Sequence, residues 1–452
     1  MIEKNGAKEY FANPENSDEF LGSSKESLGF FADLHIHSRF SRACSKDLNL
    51  DNLEKWARVK GIDLLGTGDF THPVWINELK ANLADNKKGI FHTKTGFKFI
   101  LTGEISLMYT QGHGRSVHLV LLAPSFDVVD KINGYLDKRG RRDYDGRPIF
   151  KITCEQFTKD MKEISDYIEI IPAHIWTPYF GVFGSESGFD SLKEAFGSQF
   201  DNVNAIETGM SSDPAMNWKI SELNSKTIVS FSDLHSFWPW RMGREATIFS
   251  SIQSYEEIIN QIRENRIIGT VETDPAYGKY HWDGHRNCSF SCSYEDTRRY
   301  NGICPVCKSN LTIGVENRIE KLKNQAQEEN KNRKNYYKIL PLHELISAFL
   351  NSSINSKKVW AIYNRLLEKF NNEFNILLIV SRDELEKIID KKLAELILHN
   401  RQGKIQVRPG FDGNYGVMIL DGKEAVNYEN DSEKAKNIIK NNQKTLFECK
   451  IP

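Results

Sequence analysis

One repeated local grammar between residues 30 and 271 limits the fold of this chain more than any other feature: a short apolar run, then a histidine or carboxylate at its end. The stretch Phe31-Ala32-Asp33-Leu34-His35-Ile36-His37-Ser38 sets the pattern. The apolar run enters as a buried strand. In an extended segment, side chains at i and i+2 share a face, so His35 and His37 aim at one point. Such a pair is either half of a metal site or two hydrogen-bonded histidines in a turn.

The grammar recurs. The segment 62–66 leads to Asp69, 97–101 to Glu104, 167–171 to His174 and 227–231 to Asp233 and His235, while His118 falls within 116–122. The segment 204–207 continues the series, and 247–249 and 267–271 close it around a helical segment at 255–264. Between the first two strands, Asn49 is a cap, 50–60 has helical spacing and Gly61 is a stop. Alternating strands and helices argue for an α/β barrel or a doubly wound sheet. A barrel gathers the C-terminal ends of its strands at one mouth, whereas an open sheet spreads them. The position of the polar residues therefore favours a distorted barrel.

At 452 residues the chain predicts more than one domain. We divide it into a flexible polar extension (1–28), a metal-dependent barrel (29–273), a cysteine module (274–315), a helical region with a β-hairpin (316–425) and a polar tail (426–452). Residues 313–338 read as a charged linker helix, 357–370 and 382–400 as amphipathic helices, and 404–420 as the hairpin. No apolar run is long enough to cross a bilayer, and the N-terminus is polar and acidic, unlike a signal peptide. A cytoplasmic protein is expected, and nothing calls for an obligate oligomer, so a monomer is expected too.

The seven cysteines then do not read as a disulfide framework. Four of them, Cys288, Cys292, Cys304 and Cys307, have the two-pair spacing of a zinc site. A closed set of four thiolates predicts one structural zinc rather than a catalytic one.

Six of the twelve histidines occupy the metal-type positions beside Asp69, Glu104 and Asp233. Mixed imidazole and carboxylate donors suit Zn²⁺, Mn²⁺ or Fe rather than Ca²⁺. The donors exceed what one ion uses, so two or three divalent ions (Zn, Mn or Mg) are expected, with Glu104 as the bridge. Ions about 3.5–4 Å apart polarise a phosphoryl oxygen, generate hydroxide and stabilise a leaving oxygen, which suits phosphoester hydrolysis.

The net charge of −1 does not decide for or against nucleic acid, because the local distribution of cations matters. Residues 138–147 (KRGRRDYDGR) form a cation-dense loop, either a solvated face or a phosphate clamp. From it Arg139, Arg141 and Arg142, with Arg39, Arg42, Arg241 and Arg244 near the ligand positions, are candidates for DNA contacts. Phe40, Trp176, Tyr179, Phe180, Phe237, Trp238 and Trp240 follow ligand positions and either rim the site or fill the core.

Asp-Leu-His-Ile-His at 33–37, Glu104, His118, His174 and Ser-Asp-Leu-His at 232–235 resemble the motifs of the PHP (polymerase and histidinol phosphatase) superfamily. The segments 31–47 (FADLHIHSRFSRACSKD), 66–73 (GTGDFTHP), 279–285 (KYHWDGH) and the cysteine array followed by 311–315 (LTIGV) resemble the endonuclease Q family more closely. The resemblance spans residues 29–420. It implies a distorted (β/α)7 PHP barrel with an appended four-cysteine zinc module, a mostly helical C-terminal region and a trinuclear metal centre.

Residue by residue, it implies His35, His37, Glu104 and Asp233 around one ion, Glu104, His118 and His174 around a second, and Asp69 with His235 around a third. Those roles make His35, His37, Asp69, Glu104, Asp233 and His235 the implied catalytic set. Two departures concern the third ion. Many superfamily members read Thr-Asp-His where this chain has Thr67-Gly68-Asp69, which leaves His72 as a substitute ligand. A further histidine, common after the His-x-His pair, is replaced by Ala43 and Cys44.

The implied function is a DNA repair endonuclease. It incises 5′ to deaminated bases (uracil, hypoxanthine, xanthine) and abasic sites and leaves 3′-hydroxyl and 5′-phosphate ends. The implied partner is damaged DNA, with docking on a sliding clamp left open. The competing readings are a small-molecule phosphatase of the histidinol-phosphate type and a non-catalytic nucleic-acid-binding protein. The run from Tyr280 to His285 either touches DNA or braces the zinc module.

Overall fold

The computed structural model describes residues 28–323, 333–420 and 422–425. The expected N-terminal extension, up to residue 27, and the tail from 426 lie outside the described residues, as does the middle of the expected linker helix.

A curled mixed sheet carries the site. Strand Phe30–Asp33 lies at its centre, parallel to Leu64–Gly66 (Ala32 opposite Leu64), which is parallel to Lys98–Gln111 (Leu65 opposite Phe99). Gly112, with φ of 75°, turns that long strand straight back as His113–Ala123, and Glu169–Pro172 pairs antiparallel beyond it. On the other side, Ala246–Phe249 and Gly269–Glu272 continue the sheet antiparallel. Strand Asn335–Lys338 then adds in parallel at the edge. Among the described residues the expected linker helix is a helix over Val315–Leu322, and its far end is this strand.

Strands Ala205–Glu207 and Thr227–Val229 form a separate two-stranded parallel ladder, so the sheet does not close as an all-parallel barrel would. The physical reason is local: the tight turn at Gly112 forces antiparallel pairing where a barrel requires a helical crossover. Even so, the curl encloses an apolar interior. Ala32, Leu64, Ile100, Val120, Leu122, Ile171, Ala205, Val229 and Phe231 are buried together inside it, and a larger core packs the helices outside.

The helices form where caps and spacing place them. Asn49 accepts a hydrogen bond from Asn52 N at 3.0 Å to start Leu50–Lys60, and Gly61, with φ of 96°, ends it. Ser254 caps Tyr255–Arg263. The expected helix over 382–400 is two helices, Arg382–Glu386 and Lys391–Arg401, because Asp390 accepts from Lys392 N at 2.8 Å and starts a new one. Strands Gln406–Arg408 and Val417–Leu420 pair as the expected hairpin, Val407 opposite Met418. No helix among the described residues is long and apolar enough to cross a membrane.

The C-terminal helices are tied to the sheet by a buried ion pair. Lys60 Nζ sits 2.6 Å from Glu373 Oε1 and donates to Pro239 O at 3.0 Å. Glu373 also accepts from Leu342 N at 3.0 Å and from the Tyr363 hydroxyl at 2.7 Å. Trp56, Phe237, Trp238, Trp240 and Trp360 pack on one another in a cluster that includes both neighbours of Pro239. Removing one partner of such a pair strands a buried charge. Glu373→Leu is therefore expected to destabilise the protein by roughly 3–5 kcal/mol. The double change Lys60→Met with Glu373→Leu is expected to recover most of that loss, as read from urea unfolding midpoints.

Candidate metal centre

Beyond Asp33 the chain stays extended through Ile36, held by Asp233 N→His35 O (2.9 Å) and His37 N→Leu234 O (3.2 Å). These bonds bring two distant strand ends side by side, so His35, His37 and Asp233 face one point. Glu104 comes from Lys98–Gln111 and His118 from its partner strand. Glu104 opposes Val120 and Ser106 opposes His118, so the two side chains are diagonal neighbours on one face. His174, Asp69 and Asp233 all have positive φ, at 32°, 46° and 47°. Asp and His tolerate this region better than most residues, and here it turns each side chain back over the mouth of the curled sheet.

Two donor groups result, each with its atoms within 4.8 Å of one another: His35, His37, Glu104 and Asp233, and Glu104, His118 and His174. Glu104 divides itself between them. Its Oε2 lies 3.5 Å from His35 Nε2 and 3.2 Å from His37 Nε2. Its Oε1 lies 2.8 Å from His118 Nδ1 and 3.3 Å from His174 Nε2. Asp233 Oδ1 completes the first group, 3.0 Å from His37 Nε2 and 3.6 Å from His35 Nε2.

His35 Nε2, His37 Nε2, Glu104 Oε1 and Asp233 Oδ1 are buried with no hydrogen-bond partner. Convergent buried donors of this kind fit divalent ions, which would supply the missing partners.

A second layer orients the imidazoles. Glu207 Oε1 lies 2.9 Å from His35 Nδ1, and its other oxygen accepts from His174 N at 2.7 Å. Sequence reading passed over Glu207 as an ordinary strand residue; its place at the end of Ala205–Glu207 was the available signal. Asp69 Oδ1 lies 3.0 Å from His37 Nδ1, while its Oδ2 accepts from Ser38 N, Ser38 Oγ and Ser41 Oγ. Asp69 thus orients His37 from behind. His235 lies beside His37, ring centroids 4.6 Å apart, with Nδ1 2.9 Å from the Asp233 carbonyl. His72 stacks on Phe40 at 4.2 Å and joins neither donor group.

Charge is balanced tightly. Burial would lower His35, but Glu207, Glu104 and Asp233 outweigh it and hold the imidazole well above its ordinary value. Burial would likewise lower His37, and Asp69, Asp233 and Glu104 raise it instead. Burial would raise Glu104 and Asp233, yet the surrounding cations hold both well below the usual carboxylate range. Burial pushes His118 down to about 4, which leaves it a neutral imidazole with a lone pair to donate.

The cysteine module assembles a different set from the four thiolates the spacing implied. His285, Cys288, Cys304 and Cys307 converge, with His285 Nδ1 at 3.2 Å from both Cys288 Sγ and Cys307 Sγ. Cys292 is buried on strand Phe290–Cys292, its Sγ 3.2 Å from Thr297 Oγ1, because its pairing opposite Asp283 carries it away from the turn. His285-x2-Cys288 repeats the spacing of Cys304-x2-Cys307, and that was the legible signal. Hydrogen bonds from Ser309 pull the Cys307 thiol down to about 6, toward the thiolate a metal requires. Of the run before His285, Asp283 braces the module by accepting from Gly314 N at 2.5 Å and from Asn317.

The chain resembles solved structures over nearly its whole described length. The lesion-specific endonuclease PfuEndoQ of Pyrococcus furiosus is 31% identical with a TM-score of 0.78, covering 86% of this chain and 94% of that one. The chain belongs to the endonuclease Q family. A second family structure, endonuclease Q in complex with a 27-mer duplex substrate with an abasic lesion at the active site, is 30% identical with a TM-score of 0.78 over 86% of this chain and 96% of that one. The profile of the MJ0043 C-terminal domain matches residues 341–404. The uncharacterized protein MJ0043 of Methanocaldococcus jannaschii is 33% identical over 287 residues, 60% of this chain. The match spans only 35% of that curated relative's own length.

In this endonuclease Q family member, most candidate DNA-contacting arginines have acidic or carbonyl partners. Arg39 meets Glu78 at 2.5 Å, Arg42 meets Asp145 at 3.3 Å, and Arg139 lies 3.6 Å from Asp160 and over the Tyr135 ring. Arg141 pairs with Asp143 and Arg142 with Asp137. Arg244 donates to the Ser232 carbonyl at 3.1 and 3.0 Å, and Arg241 lies over the Tyr415 ring. Trp176, Phe237 and Trp240 are core residues, Phe180 stacks on His118, and Tyr179 remains exposed.

Two outcomes follow from the donor geometry. The carboxylates that raise His35 and His37 favour their protonated forms in the ion-free protein, so ion binding is expected to expel protons and Mn²⁺ affinity to fall as pH falls. Calorimetry in buffers of different ionisation enthalpy should report proton release, and a buffer-independent heat would count against this pairing. In the module, Cys292→Ser is expected to take up zinc and His285→Ala to fail to, as read by elemental analysis.

Proposed function

We propose that this protein is a metal-dependent DNA repair endonuclease that hydrolyses the phosphodiester 5′ to deaminated bases (uracil, hypoxanthine, xanthine) or abasic sites. The observation that carries the reading is the division of Glu104 between two donor groups. Two donor groups that share one carboxylate would hold two divalent ions close together, an arrangement suited to phosphoester hydrolysis. Likeness to a lesion-specific endonuclease, and to a relative holding an abasic duplex at its active site, directs that chemistry to damaged DNA.

In this reading the curled sheet is a distorted PHP barrel, its ladder interrupted at Ala205–Glu207. His35, His37, Glu104 and Asp233 would hold one divalent ion, and Glu104, His118 and His174 would hold the other, Zn, Mn or Mg. When bound, such ions would activate water near neutral pH and offset charge on the leaving oxygen. Asp69 and Glu207 fix the rotation of His37 and His35, so both present Nε2 inward. Asp233 receives its orientation from the left-handed turn that follows Ser232. The module with His285, Cys288, Cys304 and Cys307 would hold a structural zinc and brace the loops beside the mouth. The substrate is damaged DNA, and the protein acts as a cytoplasmic monomer.

The test is incubation of labelled duplexes containing uracil, hypoxanthine, xanthine or an abasic site with Mg²⁺ or Mn²⁺. One nick on the 5′ side of each lesion is expected, with undamaged duplex intact. Asp233→Ala is expected to abolish nicking without unfolding the protein. Asp69→Asn and Glu207→Gln, which act through an imidazole, are expected to cost about 10–100-fold in activity or metal affinity. Undiminished nicking by Asp233→Ala would overturn the metal assignment.

A further inference from the structure

We propose that Arg147 is a catalytic residue whose guanidinium forms an anion subsite for the scissile phosphodiester beside Glu104. The inference rests on the hydrolase reading above and goes further in naming the group that grips the substrate.

Arg147 Nη1 lies 2.9 Å from Glu104 Oε2, the same oxygen that faces His35 and His37. That is the only hydrogen bond its guanidinium makes among the described residues, and the side chain is 24% exposed. Its remaining N–H groups are therefore without a partner among the described residues. In this it differs from Arg141 and Arg142 on the same loop, each of which gives two nitrogens to one aspartate.

The loop holds it rigidly. Gly146 N donates to Phe40 O at 3.0 Å, Thr71 Oγ1 donates to Gly146 O at 3.0 Å, and Arg147 N donates to Asp145 Oδ1 at 3.1 Å. Gly146 passes so close to the site that a Cβ would overlap the Asp69 carboxylate and the Ser41 hydroxyl.

A fixed cation is an unfavourable neighbour for divalent ions unless anions lie between them. Glu104 is one such anion, and Asp233 and Asp145 also act on the guanidinium. The N–H groups that none of them takes up are open to a further anion, and a phosphodiester is the one this site would admit. Arginine's planar fork matches two phosphate oxygens, and charge grows on those oxygens in the transition state.

The test compares wild type, Arg147→Gln and Arg147→Lys, each metal-loaded, in three measurements. Calorimetric titration with inorganic phosphate should show affinity at least about ten-fold weaker for Arg147→Gln. Turnover of an abasic duplex should show kcat lower by about 10²–10³-fold, with KM changed far less. Metal content and melting temperature should match wild type, and Arg147→Lys should recover part of kcat as a point charge without the fork.

Equal phosphate affinity and equal kcat in wild type and Arg147→Gln would overturn the proposal, as would a wild type that binds no phosphate. Loss of metal from both variants would also overturn it, reducing Arg147 to a prop for Glu104. A wild type that binds phosphate through Arg147 but nicks no lesion duplex overturns the DNA reading and leaves the subsite standing.

Discussion

A fully buried carboxylate with no compensating charge is too costly to keep, and Glu104 is buried at the centre of this protein. The surrounding architecture is the answer to that cost. His35 and His37 approach one oxygen, His118 and His174 the other, and Arg147 caps the assembly from the cleft. Divalent ions between these groups would satisfy the same charge more completely, with neutral imidazoles as ligands. One residue therefore links the fold, the electrostatics and the proposed chemistry.

Delivering these side chains to one point takes backbone geometry that regular strands do not provide. Asp69, His174 and Asp233 accept left-handed conformations at strand ends, and Asp233 N and His37 N stitch two distant segments together. Such conformations persist only where packing holds them. Here the interior of the curled sheet lies directly beneath, and the loop of Arg147 lies above. Behind the site, the Lys60–Glu373 pair and the tryptophan cluster beside Pro239 fasten the C-terminal helices to the loop that follows His235. The helices matched by the MJ0043 C-terminal domain profile thus bear on the backbone next to the donors.

Legibility in the sequence followed the range of the interactions. The strand-end donors were readable because each is a local pattern, an apolar run and then a polar residue, and period-two alternation put His35 and His37 on one face. The cap at Asn49 and the hairpin near 404–420 were readable for the same reason. Glu207 and the pairing of each arginine were not, because their roles exist only through partners far away in the chain, such as His35 for Glu207 and Glu78 for Arg39. His285 lay between these cases: its spacing was visible, but four cysteines offered a simpler set.

The sequence by itself determined which residue types could reach the mouth of the sheet, and hence that mixed imidazole and carboxylate donors would meet there. Only the tertiary structure decided how they are shared. It split Glu104 between two groups, set Asp69 behind His37 rather than among the convergent donors, exchanged Cys292 for His285, and drew Arg147 out of a charged loop into the site. The physical reason is that periodicity specifies a side chain's face. Its partner is specified by packing between segments, here as far apart in sequence as His35 and Asp233.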